Sequence, residues 1–218
     1  MKIDRLIGWA ALAALPVIAL PFILHAIALG WAGLTRDLTG VSRFFTAGST
    51  AANTAIFGHM VLGAVITALA PLQLIGPMRR RWPALHRLTG RLVAYSALAA
   101  GLGGLIYIIV RGTIGGPWMS MGFAIYGCLT CVTAAQTLRF GHLRQFERHR
   151  RWAVRLFVLA MASWIYRLHY TLWYVITGGL GTTAAFTGAF DRIQVYAFFV
   201  PYLALAEYFL RRTSRRVG

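Results

Sequence analysis

Residues 57–91 read FGHMVLGAVITALAPLQLIGPMRRRWPALHRLTGR and join a membrane-length apolar segment to a dense basic turn. His59 lies near one end of the apolar segment, and Pro71-Leu72-Gln73 lies near the other. A helix needs about 20 mostly apolar residues to cross a bilayer. The stretch therefore predicts a helix that crosses a membrane and ends in a positively charged turn.

The composition of the whole chain agrees with a membrane location. The 218 residues are 58% hydrophobic and only 12% charged, whereas soluble domains contain about 25% charged residues. Six stretches are long and apolar enough to span, at approximately 6–34, 54–76, 88–110, 118–138, 153–177 and 192–210. Because the connections are short, we expect an all-α integral membrane protein, a six-helix bundle that forms a single domain over residues 1–218.

The distribution of positive charge predicts the orientation. The chain has 22 Lys and Arg against 5 Asp and Glu, which in a soluble protein would suggest nucleic acid. Here nearly all basic residues lie at segment ends, so they indicate topology instead, and nucleic acid is disfavoured. One face carries Lys2, Arg5, Arg79, Arg80, Arg81, Arg87, Arg91, Arg139, Arg144, Arg148, Arg150, Arg151, Arg155, Arg211, Arg212, Arg215 and Arg216, and the other carries Arg36, Arg43, Arg111 and Arg192.

This asymmetry places both termini in the cytoplasm of a bacterial cell, with the bundle in the inner membrane. We also expect the basic face to attract anionic lipid head groups.

At the N-terminus, Lys2 and Arg5 before an apolar run resemble a secretory signal peptide, and residues 26–28 resemble a cleavage site. The apolar run is much longer than a signal core of about 7–15 residues, so an uncleaved first helix is predicted. Pro16 and Pro21 predict a bend in it.

Histidines occur at two depths of the predicted bundle. His59, His169 and His25 lie in the outer half, while His86 and His149 lie at the cytoplasmic boundary. An ionisable residue inside a bilayer is a functional hypothesis by default.

Two neutral imidazoles from different helices are what the iron of a b-type heme requires. His59 and His169 are therefore candidate heme ligands, His86 and His149 form a candidate inner pair, and His25 is a further candidate metal ligand. The alternative is that these histidines only hold helices together through hydrogen bonds.

Arg167 lies a little past the middle of the fifth segment, on its outer side. The acidic residues Asp4, Asp37, Glu147, Asp191 and Glu207 all lie in loops or near helix ends. Because arginine does not lose its proton, Arg167 needs carbonyls, hydroxyls, water or an anion that the chain does not supply. A heme propionate, a quinone oxygen or a lipid phosphate would serve, and the alternative is a side chain that extends outward to the head groups.

Small residues predict where helices approach closely. They recur along one face of the third segment, at Gly90, Ala94, Ala97, Gly101 and Gly104. In the fourth segment, Cys128 and Cys131 share a face and could hold a metal or form a redox pair. Because the chain has only these two cysteines, packing is the preferred interpretation.

A set of motifs between His59 and Arg167 is similar to a known family. The set comprises His59, Pro71-Leu72-Gln73, Arg79-Arg80-Arg81, Leu85-His86-Arg87, Gly90-Arg91, His149-Arg150-Arg151-Trp152, Arg155 and Arg167. In these residues the chain resembles the bacterial multi-pass membrane proteins catalogued as domain of unknown function 2306. The resemblance implies a helical membrane fold and no established activity. A looser similarity to di-heme transmembrane cytochromes b rests only on the paired histidines.

Three functions are compatible with these residues. The first is a b-type heme or quinone site in transmembrane electron transfer, with a quinone or a redox protein as partner. The second is a carrier for a small anionic substrate, with Arg167 in a water-filled cavity. The third is a non-catalytic membrane scaffold or assembly factor. Hydrolase and nucleotide chemistry are disfavoured because no Ser-His-Asp arrangement, phosphate loop or paired carboxylates occur.

Overall fold

In a computed structural model, which describes residues 2–214 and the side chains of residues 7–212, the chain is 82% helical. Within that range there are no strands, so the all-α prediction is confirmed. The described residues form α1 (Lys2–Ile18), α2 (Leu20–Thr35), α3 (Thr50–Leu69), a 3-10 turn (Pro71–Leu74), α4 (Gly76–Arg81), α5 (Pro83–Arg111), α6 (Gly116–His142), α7 (Phe146–Thr177), α8 (Ala189–Ala197) and α9 (Val200–Ser214). Arg215 and Arg216 lie outside the described residues, as do the side chains of Lys2 and Arg5.

Five helical segments in the described range are long and apolar enough to cross a membrane. They are Ile7–Thr35, Thr50–Leu74, Pro83–Arg111, Gly116–His142 and Ala189–Arg212, and they correspond to five of the six predicted spans. The remaining predicted span, 153–177, lies in α7, which has 32 residues. Its apolar run is interrupted by Arg167 and His169, and its crossing stays a prediction.

Prolines divide three of the predicted spans into two elements each. The first span breaks between α1 and α2, where Pro21 follows the first residue of α2, as the bend prediction required. The second passes from α3 into the 3-10 turn at Pro71, and the last breaks just before Pro201. Proline causes these breaks because it lacks an N–H donor and its ring clashes with the preceding turn.

The helices pack in chain order: α2 on α3, α3 on α5, α5 on α6, α6 on α7, and α9 on α7. The main core joins α3, α5, α6 and α7 through buried small and aliphatic residues, among them Ile66, Ala97, Ala134 and Leu156. The small-residue stripe of α5 faces this core, since Ala94 and Ala97 are buried. The prediction of close helix packing along α5 is therefore confirmed.

The contact between α2 and α3 depends on two glycines, Gly30 and Gly33, that were not predicted as contact residues from the sequence. A Cβ atom at Gly33 would overlap the ring of Phe57, and one at Gly30 would lie 2.7 Å from Cγ2 of Val61. Phe57 is completely buried. Two glycines three residues apart in an apolar helix are the signal that could have predicted this contact.

The contact between α7 and α9 is held by an ion pair near the predicted cytoplasmic side. The Arg155 guanidinium donates hydrogen bonds to both carboxylate oxygens of Glu207 and lies 4.7 Å from the centre of the Trp152 ring. Arg155 belongs to the predicted basic face, so the pair ties that face to the last helix.

Candidate functional site

A cavity of about 1000 Å³ lies at the predicted cytoplasmic end of the bundle and is called the inner cavity below. Its polar lining consists of Gln73, Arg79, His86, Arg87, Arg91, Thr137, His142, Arg144, Glu147, His149 and Arg150. Its apolar lining includes Val93, Ala94, Leu138, Leu156 and Phe157. A hollow of about 480 Å³ beside Trp82 is formed by residues 81–85 alone and contains no histidine. The inner cavity is therefore the candidate site.

The 3-10 turn after Pro71 positions one wall of the inner cavity. Gln73 Nε2 donates to Thr89 Oγ1 at 2.7 Å, and that hydroxyl donates to the carbonyl of Leu85. A Cβ atom at Gly90 would lie 2.9 Å from Gln73 Oε1, so a residue without a side chain suits this close approach. These contacts tie the beginning of α5, including His86, to the end of α3.

His149, in the first turn of α7, is held in one orientation. Its Nδ1 lies 2.9 Å from the carbonyl oxygen of Thr137, and because a carbonyl only accepts, Nδ1 must carry the proton. The ring packs on Gly141, where a Cβ atom would lie 3.2 Å from Nδ1. In the neutral ring, the free lone pair is then on Nε2. A histidine that ligates a metal usually has this arrangement, with its other nitrogen donating to a carbonyl.

His86, in the first turn of α5, lines the same cavity. Its Nδ1 is buried and has no hydrogen-bond partner among the residues described. Leaving such a group unpaired costs about 1–3 kcal/mol. Arg79, Arg87 and the His149 ring lie close enough to interact electrostatically with the His86 ring. The structure thus brings the predicted inner histidine pair to one site.

The inner cavity carries a large excess of positive charge. No ion pair or side-chain hydrogen bond joins Arg79, Arg87, Arg91 or Arg144 to any residue in the described range. The acidic lining residue, Glu147, is already bonded to Arg150, with Nη2 and Oε1 3.0 Å apart. The hydrogen bonds from Arg150 lower the pKa of the Glu147 carboxyl, which keeps it ionised. These arginines were expected from the sequence to indicate topology and to attract anionic lipid head groups, but their position around one cavity was not predicted.

The outer candidates His59 and His169 face different neighbours. His59 Nδ1 donates to the carbonyl of Ala100 on α5 at 2.8 Å. Both ring nitrogens of His169 are engaged, one with the amide of Gln194 at 3.1 Å and the other with the hydroxyl of Tyr202 at 2.8 Å. The partner of His59 lies on α5, whereas those of His169 lie on α8 and α9, and ligation of one iron by the two rings stays a prediction.

Arg167 donates from Nη1 to the carbonyl of Ser163, one turn earlier in α7, at 2.8 Å. Its guanidinium lies 4.6 Å from the centre of the Phe22 ring, and the residue is exposed on the surface of the bundle.

His25, the further metal candidate, is exposed on α2. Within residues 7–212, no three His, Cys, Asp or Glu side chains form a group that could hold a metal ion. Cys131 packs against Gly101 and Leu98, as the packing interpretation predicted.

Comparison with known proteins agrees with the resemblance noted from the motifs. A family model described as "Predicted membrane protein (DUF2306)" matches residues 56–210. The match covers more than two thirds of the chain and extends beyond Arg167 through most of α9. No curated protein and no solved structure matches the chain.

Proposed function

We propose that this chain, which belongs to the DUF2306 family of predicted membrane proteins, binds a b-type heme in its inner cavity and takes part in electron transfer across the membrane. One observation carries the proposal. His86 and His149, on different helices, line one cavity, and neither Nε2 has a hydrogen-bond partner among the described side chains. A pair of neutral imidazoles is the ligand set of a b-type heme iron.

The remaining lining suits the rest of the heme. The walls include Val93, Leu156 and Phe157, which would contact an apolar macrocycle. Arg87 and Arg91 are four residues apart, on one face of α5, and would each neutralise a propionate. The volume of about 1000 Å³ is at the upper end of the range of about 300–1,000 Å³ for small-molecule sites.

The chain's own residues would set the properties of the bound group. The carbonyl of Thr137 would hold the His149 ring and increase the basicity of its Nε2. The apolar walls would exclude water from the macrocycle, and the arginines would favour the anionic side chains of the heme. The heme itself would supply the one-electron redox chemistry.

The direct test is the absorption spectrum of the protein purified in detergent from cells supplied with heme precursor. We expect a Soret band and the spectroscopic signature of low-spin iron with two imidazole ligands. If well-folded, helical protein shows no Soret band and does not bind added heme in a titration, the proposal is wrong. The carrier and scaffold hypotheses both predict that negative result.

We also propose that the chain crosses the membrane six times, with both termini in the cytoplasm of a bacterial cell. In support, the 32 residues of α7 extend about 48 Å at 1.5 Å per residue, which exceeds the hydrocarbon core of about 30 Å. A fluorescent protein fused after the last residue should fluoresce, and alkaline phosphatase fused there should be inactive. Fusions within the loop at residues 178–188 should give the opposite results. A five-span arrangement, in which α7 does not cross, reverses both outcomes.

A further inference from the structure

Arg144 occupies the turn that ends α6, in a backbone conformation that favours glycine. Its φ is +56°. The Arg144 N–H donates to the carbonyl of Gly141 at 3.2 Å, and the Gln145 N–H donates to that of Phe140 at 3.0 Å. This bond pattern is typical of helices closed by a left-handed residue, usually glycine. An arginine there is less favourable than glycine, and its side chain lines the inner cavity.

Arg79 differs from its immediate neighbour in the same short helix. Arg80 lies over the ring of Trp9, with the guanidinium 5.8 Å from the ring centre, and does not line the inner cavity. Arg79 lines the cavity and has no acidic partner in the described range. Two adjacent arginines with equal charge therefore have different surroundings, and only one of them faces the candidate site.

The N-termini of two helices add to the positive electrostatic potential at the mouth of the inner cavity. α5 and α7 both begin there, and neither Trp82 nor Gln145 caps its helix with a side-chain hydrogen bond. The first-turn N–H groups of both helices therefore add positive partial charge to that of the arginines. The field favours an anion with several acceptor oxygens.

We propose that Arg79 and Arg144 bind a phosphate group at the mouth of the inner cavity. The planar guanidinium matches phosphate oxygens in paired hydrogen bonds. The inference concerns the cavity of the proposed function, but it uses two arginines that the heme proposal leaves without a partner. The phosphate has two sources: the head group of an anionic phospholipid, which lies at the level of the helix ends, or a soluble phosphate compound from the cytoplasm.

The test compares two double variants that lose the same charge from the same part of the chain. Arg79→Gln with Arg144→Gly removes the two cavity arginines. Arg80→Gln with Arg148→Gln is the matched control, because Arg148 bonds to Gln145 and contacts the Phe140 ring instead of lining the cavity. Affinity is measured by thermal-shift titration in detergent, with inorganic pyrophosphate in one arm and phosphatidylglycerol in the other.

We expect the cavity variant to bind at least about tenfold more weakly in one arm, which corresponds to the loss of one good charge-assisted contact, while the control variant binds like the original protein. The arm that responds identifies the source of the phosphate. An equal loss in both double variants would mean that only net charge matters, and it would overturn the proposal. So would an absence of binding in both arms.

The single variant Arg144→Gly separates a binding role from a structural one. Glycine suits the left-handed backbone, so the ligand-free variant should unfold at a higher temperature while it binds phosphate more weakly. A variant that is more stable and keeps full affinity would contradict the proposal. Because His86 and His149 are unchanged in this variant, it should keep its Soret band. Phosphate binding and heme binding are therefore tested independently.

Discussion

The His149→Ala protein is expected to lose its heme. Alanine has no atom that can bind iron, and the third histidine of the lining, His142, is held by a different carbonyl, that of Leu138. We expect heme affinity to fall by more than about 100-fold, because even the loss of a residue that only supports a ligand weakens metal affinity 10–100-fold. Heme titration followed by the Soret band measures the change. His86→Ala should have an effect of the same size or leave iron with a single imidazole, visible as a low-spin to high-spin change.

Three further histidine variants serve as controls and as a test of the outer pair. His25 is exposed on α2 and lies outside the inner cavity, so His25→Ala should retain the full Soret band. His59→Ala and His169→Ala should also retain it, because neither residue lines the inner cavity. If these two variants lose heme while the His86 and His149 variants keep it, the heme lies in the outer half of the bundle and the assignment to the inner cavity is wrong.

The Gly33→Ala protein is expected to be the least stable of the variants considered. The added Cβ would overlap the Phe57 ring, and this ring is completely buried. Overpacking of this kind typically lowers the free energy of unfolding by about 1–3 kcal/mol. We expect about 3 kcal/mol, because the α2 backbone must move away from the Phe57 ring. The midpoint of thermal or denaturant unfolding in detergent measures the loss.

Gly58→Ala is the matched control for this prediction. Gly58 follows Phe57 in α3, and a Cβ atom there would meet nothing within 4 Å. Because alanine is the better helix former by about 0.5–1 kcal/mol, the free energy of unfolding should be unchanged or slightly larger. Equal destabilisation by both substitutions would show that glycine acts through backbone flexibility, and that the contact between α2 and α3 is not the cause.

Much of the helical layout could be predicted from local features of the sequence. The positions of the apolar segments follow from composition, and the breaks at Pro21 and Pro71 follow from the missing proline N–H. The close contacts along α5 follow from its small residues. The Gly30 and Gly33 contact has the same physical origin and was missed, since its partner Phe57 comes from another helix.

The candidate site was predicted less well, because depth in the membrane is only one of the coordinates that bring side chains together. Successive residues in an α-helix rotate by about 100°, so Arg167 and His169 point in roughly opposite directions. His169 accordingly faces Gln194 and Tyr202, while Arg167 lies over Phe22. Depth alone had suggested one site for both with His59, and that site stays a prediction, since the Arg167 charge does interact with His59.

The sequence by itself determined that the chain is a helical membrane protein with a strongly basic side, since hydropathy and charge are properties of single segments. It also supplied the segment at 57–91, whose two ends were expected to serve different sites. The sequence also paired His86 with His149 by depth, but only the tertiary structure placed both in the lining of one cavity, and brought Gln73 close to Gly90 beside it. These pairs depend on helix rotation and on how close the backbones approach, and both are set by packing between segments far apart in the chain.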